Sequence, residues 1–261
     1  MMSAHYINLA IKLNSNETAS SRFEDEAYVL HSRAYRNTSM IVDVYTKHHG
    51  RLSVLAKGAK QQRSDYYGTL QPFQKLYLQW GGRSELKTLF RAELLQKQMV
   101  LPGQAVYYGF YINELLVYLL HKHESHTALF DVYQQCLQTL ANAMLSEVYL
   151  RYFELALLEE LGYGLNLEVD YRSGELIKKD SVYLFHVERG VHELQHTPDK
   201  GELVVQGETL IALTARQLET EQQKREAKQL LRFIIEYYLE GKPIHTRKLL
   251  QSKKQFSLSN E

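Results

Sequence analysis

The chain has 261 residues but only one cysteine, Cys136. A lone thiol cannot form an intramolecular disulfide, so a reducing compartment is expected and the chain is read as cytoplasmic. No apolar run approaches the roughly 18 residues that a membrane-spanning helix needs. The opening stretch MMSAHYINLAIKLNSNETASS has only a short apolar run and lacks the basic start and cleavage site of a signal peptide. Catalytic signatures are missing as well. AKGAKQQRS does not have the spacing of a phosphate-binding loop, and neither GxSxG nor HExxH occurs. Glu159 and Glu160 are adjacent, so on a helix they point about 100° apart and cannot straddle a substrate. Cys136 lies in an apolar-periodic helix, which predicts a small buried residue rather than a nucleophile. Nothing supports an enzyme. Internal repeats and low-complexity blocks are also missing.

Net charge is scarce too, at +1, but it is unevenly spread. Between Asp43 and Asp65 there is no acid, while Lys47, Arg51, Lys57, Lys60 and Arg63 all fall inside. From Arg33 to Arg91, eleven Lys and Arg face only Asp43, Asp65 and Glu85, a local excess of +8 that the rest of the chain offsets. A neutral total thus conceals a basic module, and such a module points to a polyanionic partner. The 19 tyrosines are the other conspicuous supply; aromatic rings build cores or stack on bases.

The expected fold class is α+β. Residues 1–24 are polar and poorly periodic and read as a loose tail. AYVLHSRAY, SMIVDVYT, RLSVLA, FQKLYLQW and ELKTLFRAEL then read as five strands joined by turns such as KHHG and GGRS. In the fourth run Leu76, Leu78 and Trp80 share one face and Lys75, Tyr77 and Gln79 the other. Five short antiparallel strands over residues 25–98 predict an OB-fold barrel, which binds oligonucleotides through one face and its 1–2 and 4–5 loops. The first loop would carry Arg33 and Arg36, the third Lys57, Lys60 and Arg63, and the fourth Arg83. Tyr66, Tyr67, Phe73 and Tyr77 lie among these cations as candidates for base stacking.

After Pro102 the period becomes helical, giving a second domain over residues 99–261. Helices are expected at Gln104–His121, at Thr127–Met144, from Ser146 to Gly162 and Gly164, and from about Thr214, with the strongest run at Gln222–Leu239. An irregular insert at about residues 166–206 contains one clear strand and turn, SVYLFHVERG. The basic end carries Lys242, Arg247, Lys248, Lys253 and Lys254. His121, His123 and His126 are spaced wrongly for one helical face, and His186, His192 and His196 carry no ligand motif, so no metal is expected. Arg151 is a lone cation in an acidic, apolar helix. It either anchors an acidic peptide or pairs within the helix with Glu147 or Glu154.

HSRAYRNTSMIVDVYT, GRLSVLAKGAK, LQPF, GGRSELKTL, YINELL, RYFELALLEELGYG and GKPIHTRKLL, in this order, resemble the RecO family of bacterial DNA repair and recombination proteins over about residues 27–250. The resemblance implies an OB fold followed by a helical domain with an inserted subdomain, and a non-enzymatic recombination mediator associated with the nucleoid. Such proteins bind single- and double-stranded DNA and anneal strands coated with the single-stranded DNA-binding protein SSB. They also bind the acidic C-terminal tail of SSB and act with RecR to help load RecA. Carried onto matching positions, Arg33, Lys57, Lys60, Arg63, Arg83 and Lys87 become DNA contacts. Arg151 becomes an SSB-tail contact, with Tyr107, Tyr111 and Tyr152 lining a groove. The four-cysteine zinc site of some members is chemically impossible here, since the insert has no cysteine, and no cofactor is expected. From the residues alone two other readings stay open: a scaffold whose basic face binds acidic proteins, and an RNA-binding OB module.

Overall fold

The computed structural model describes residues 22–142, 147–163, 165–199 and 201–249. It divides between Gln98 and Met99 into two compact units. The tail over residues 1–21, the helix end at Met144, the cap at Ser146, the stop at Gly164, and Lys253 and Lys254 lie outside the described residues.

The first unit is a closed five-stranded barrel in the order β1-β2-β3-β5-β4, an OB fold. Its strands are β1 (Arg22–Tyr35), β2 (Ser39–Thr46), β3 (Gly50–Ala56), β4 (Lys75–Gly81) and β5 (Lys87–Leu94). Alternation makes them strands: Leu52, Val54 and Ala56 of β3 and Leu76, Leu78 and Trp80 of β4 are buried, while the residues between them are partly exposed. Together with Val29, Val42, Val44 and Leu89 these side chains fill the barrel. Strand β1 begins at Arg22, inside the stretch read as a tail. Its first half pairs with β4, from Arg22 opposite Gly81 to Tyr28 opposite Lys75. Its second half pairs with β2, with an irregularity between Val29 and His31. The polar composition of RFEDE hid this segment, because its partner β4 lies more than 40 residues downstream and local periodicity carries no record of that pairing.

Asp25 fastens the β2–β3 turn to β1. Its carboxylate accepts from the backbone N–H of His48 at 2.6 Å and bonds the rings of His48 at 2.8 Å and His49 at 3.1 Å. Burial would push this carboxyl up, but those hydrogen bonds outweigh it and hold it below the usual carboxylate range.

The second unit contains helices α1 (Ala105–Leu119), α2 (Thr127–Ala141), α3 (Val148–Glu160), α4 (Gly207–Thr214) and α5 (Glu221–Tyr238). A three-stranded sheet, β7-β6-β8, is built from β6 (Val182–His186), β7 (Gly190–Glu193) and β8 (Glu202–Gln206). Helix α5 opens with a capping box between Thr220 and Gln223 and buries Ala227, Leu230, Leu231, Ile234 and Ile235 on one stripe. Helix starts before Thr214, because α4 occupies GETLIALT. This octapeptide has weak intrinsic helicity, and tertiary contacts hold it: Leu210 and Leu213 are buried and the Thr209 hydroxyl donates to Glu226 at 2.6 Å. Gly207 starts the helix where a side chain cannot fit, since an added Cβ would land on the carbonyl oxygen of Lys178.

Two outcomes are expected. Gly207→Ala should destabilise the protein by more than about 2 kcal/mol through backbone displacement, and an unchanged denaturant midpoint would refute the close approach. Asp25 has a lowered native pKa, so its contribution is present above the unfolded value of about 3.9 and lost as pH falls through the native one. Asp25→Asn should therefore be less stable than wild type at pH 7, with the gap in thermal midpoint narrowing below about pH 4.

Candidate nucleic-acid interface

The predicted cations gather at the barrel's loops. Arg33 lies on β1 opposite Ile41, which faces Leu55 of β3, which in turn faces Thr88 of β5. Arg36 sits in the β1–β2 turn at a φ of 51°, a left-handed position uncommon for arginine. The guanidinium group lies 5.2 Å from the centroid of Tyr35. Lys57 follows β3 directly, and the Lys60 N–H donates to the Thr38 carbonyl at 2.9 Å, lashing the long loop to the β1–β2 turn. Successive turns through Gly58, Gln61, Ser64 and Tyr66 then carry Arg63 outward. Arg33, Arg36, Lys57, Lys60, Arg63 and Arg83 are all exposed. Among the described residues none of them is in an ion pair, whereas Lys75 and Arg91 are neutralised by Glu26 and Glu93.

Arg83 stands in the β4–β5 loop, away from the β1–β2 turn. Lys87 links the two regions: it pairs with Val54, three residues before Lys57 and so about 10 Å from it along the strand. Its ammonium donates to the Gly82 carbonyl at 3.3 Å. Asp43, opposite His31 on β1 and Ser53 on β3, accepts from the Ser53 hydroxyl at 2.5 Å and lies 4.0 Å from the His31 ring.

The aromatic candidates separate. Tyr66 is not a free stacking surface: its ring packs on the barrel core, its hydroxyl donates to Leu89, and burial beside Asp65 raises its pKa. Phe73 is buried, and the Tyr77 hydroxyl is engaged by Glu24. Tyr67 is 59% exposed and is the ring that the loop offers to solvent. Sequence alone could not rank two adjacent tyrosines in a loop without a period.

In the helical unit, Arg151 is not an exposed anchor. It is 6% exposed, and its guanidinium donates to Glu154 at 2.6 Å, three residues on in α3, which is the intrahelical alternative. The Tyr111 hydroxyl donates to the same carboxylate oxygen at 2.5 Å, and Arg247 reaches Tyr111 at 3.1 Å. Burial raises the Glu154 carboxyl despite Arg151 and Tyr111. Tyr107 is partly exposed on α1, and Tyr152 accepts the Leu218 N–H at 3.0 Å. The four residues read as a groove thus include two, Arg151 and Tyr111, that face the interior.

Of the histidines weighed for a metal, His126 is buried and bonds Glu160 at 3.2 Å, while His121 and His123 are exposed. His192 and His196 differ, for Glu202 joins them and one donor atom from each lies within 4.8 Å of the others. Glu202 was invisible as a partner in the sequence, because strand register supplies it.

Comparison with known proteins follows the same division. The family model described as Recombination protein O N terminal matches residues 21–98, and that described as Recombination protein O C terminal matches residues 103–248. The DNA repair protein RecO of Nitrosospira multiformis is 42% identical over 229 residues, covering 88% of this chain and 95% of its own length. That of Methylococcus capsulatus is 42% identical over 228 residues, covering 87% and 93%. That of Azoarcus is 40% identical over 230 residues, covering 87% and 95%.

Removing the cation from the buried pair should be costly. Arg151→Ala leaves the Glu154 carboxylate without its cation and is expected to lose roughly 3–5 kcal/mol in urea unfolding. Arg33→Ala on the barrel should stay within about 0.5 kcal/mol of wild type. The double replacement Arg151→Met with Glu154→Leu should recover most of the loss, and failure to do so would show that Arg151 stabilises by something other than this pair.

Proposed function

The chain belongs to the RecO family of DNA repair proteins, and we propose that it serves recombination by holding DNA strands rather than by catalysing a reaction. The observation that carries this reading is the barrel's set of exposed cations, Arg33, Arg36, Lys57, Lys60, Arg63 and Arg83, without ion-pair partners among the described residues. Such cations replace the counterions of a phosphate backbone and give salt-dependent affinity with little sequence preference. Lys87 extends the track, and Tyr67 adds a face on which a base can stack. Tyr66 supports the loop from beneath.

Screening by the same cations lowers the repulsion between two strands brought together. Binding of single- and double-stranded DNA and annealing of complementary SSB-coated strands are then one activity. The helical unit is proposed to dock the acidic C-terminal tail of SSB and to work with RecR in helping to load RecA at gaps. Tyr107 and Tyr152 are candidate contacts, and Arg151 with Tyr111 would position the site from beneath. The protein would act in the cytoplasm at the nucleoid. No helix among the described residues is long and apolar enough to cross a membrane.

The test is annealing of two complementary oligonucleotides coated with the cognate SSB, at two salt concentrations. The wild-type protein should accelerate annealing, less so at higher salt and less so with SSB lacking its tail. Lys57→Ala with Lys60→Ala should weaken single-strand binding and flatten the log–log salt slope by about 1.4, the loss of two phosphate contacts. An unchanged slope would remove these lysines from the interface. Salt-sensitive binding without annealing would leave a plain nucleic-acid-binding module, and preference for ribose oligomers would favour an RNA-binding one.

A further inference from the structure

The three-stranded sheet holds a polar cluster that strand binding does not use. His192 is on β7 and Glu202 on β8, with β6 between them. Register sets His192 opposite Leu184 and Glu202 opposite His186, two residues apart on β6, so both project from one face. The β7–β8 connection returns His196 to the same place, and a donor atom from each of the three lies within 4.8 Å of the others.

The state of each donor suits a metal ion. His192 is 1% exposed, yet neither of its ring nitrogens has a hydrogen-bond partner among the described residues. An orphaned polar group of this kind is expensive to keep in an interior. His196 bonds the Thr197 carbonyl through Nδ1 at 2.7 Å. A carbonyl only accepts, so Nδ1 carries the proton and Nε2 presents its lone pair outward. Glu202 accepts the Asp199 N–H on Oε2 at 3.0 Å and leaves Oε1 to face the two rings. Asp170 also faces His192, but its carboxylate is occupied by the N–H groups of Arg172, Ser173 and Glu193.

We propose that His192, His196 and Glu202 bind a divalent transition-metal ion of the zinc type, which fixes the β7–β8 connection onto the sheet. Two imidazoles and one carboxylate suit zinc, whereas magnesium and calcium require oxygen-rich shells. Bonds of about 2.0–2.1 Å in tetrahedral geometry place donors about 3.3 Å apart, so a small inward rotation of the exposed His196 completes the set. Water takes the fourth position. The expectation of no metal rests on histidine spacing and the missing cysteines, neither of which registers Glu202, which strand pairing supplies.

The experiment uses the full chain, stripped with a chelator and titrated with Zn2+, with Co2+ as a spectroscopic substitute and Mg2+ as a control. One equivalent of Zn2+ should bind and raise the thermal midpoint, Co2+ should show tetrahedral bands without sulfur charge transfer, and Mg2+ should do neither. His196→Ala and Glu202→Gln should each weaken Zn2+ binding at least about tenfold while keeping the metal-free midpoint. His192→Leu should abolish the Zn2+-dependent rise without lowering metal-free stability, since it removes the orphaned ring. Absence of stoichiometric Zn2+ binding, or binding that survives these substitutions unchanged, would overturn the proposal.

Discussion

Strand β1 serves two pairings, and the barrel exists because one strand bends to satisfy both. It pairs with β4 from Arg22 to Tyr28 and with β2 from Ala27 onward, Ala27 and Tyr28 serving both, and the β2 ladder shifts register between Val29 and His31. Closure on the far side is slight, a parallel contact of Val54 with Lys87 and Leu55 with Thr88. Without β1 spanning both sets, the sheet would keep open edges. The same strand places Asp25 beside the β2–β3 turn and Arg33 beside the β1–β2 turn.

Charge on this barrel is handled in two ways. Where a cation has a structural task, an acid neutralises it, as Glu26 does for Lys75 and Glu93 for Arg91. At the β1–β2 turn and the long loop the cations stand without such partners among the described residues, and the Lys60–Thr38 backbone bond keeps two of the loops together. Self-repulsion among these cations disfavours the compact state slightly, and a bound polyanion would relieve it.

The second unit shows the reverse economy, in which buried polar groups are engaged by one another. Glu154 draws Arg151, Tyr111 and, through Tyr111, Arg247 into one network. Glu114 receives the N–H groups of His245 and Thr246 and the Thr246 hydroxyl, holding the chain after α5 against α1. Glu226 likewise takes the Gln206 N–H and the Thr209 hydroxyl, joining the sheet and α4 to α5. His192 departs from that pattern, since among the described residues neither of its buried ring nitrogens is hydrogen-bonded, and it stands next to two further donors.

The sequence by itself determined the alternation that makes Leu76, Leu78 and Trp80 one wall, the heptad-like stripe of α5, the excess of cations between Arg33 and Arg91, and the family to which they belong, because each is a local or additive property. Tertiary structure alone decided that Arg22–Glu24 form a strand, that GETLIALT is a helix, that Tyr66 turns inward while Tyr67 turns out, and that Arg151 is committed to Glu154. It alone brought Glu202 to His192 and His196. Those outcomes depend on which distant segment supplies a hydrogen bond, a wall or a counter-charge. Strand register and packing create that information, and no local period encodes it.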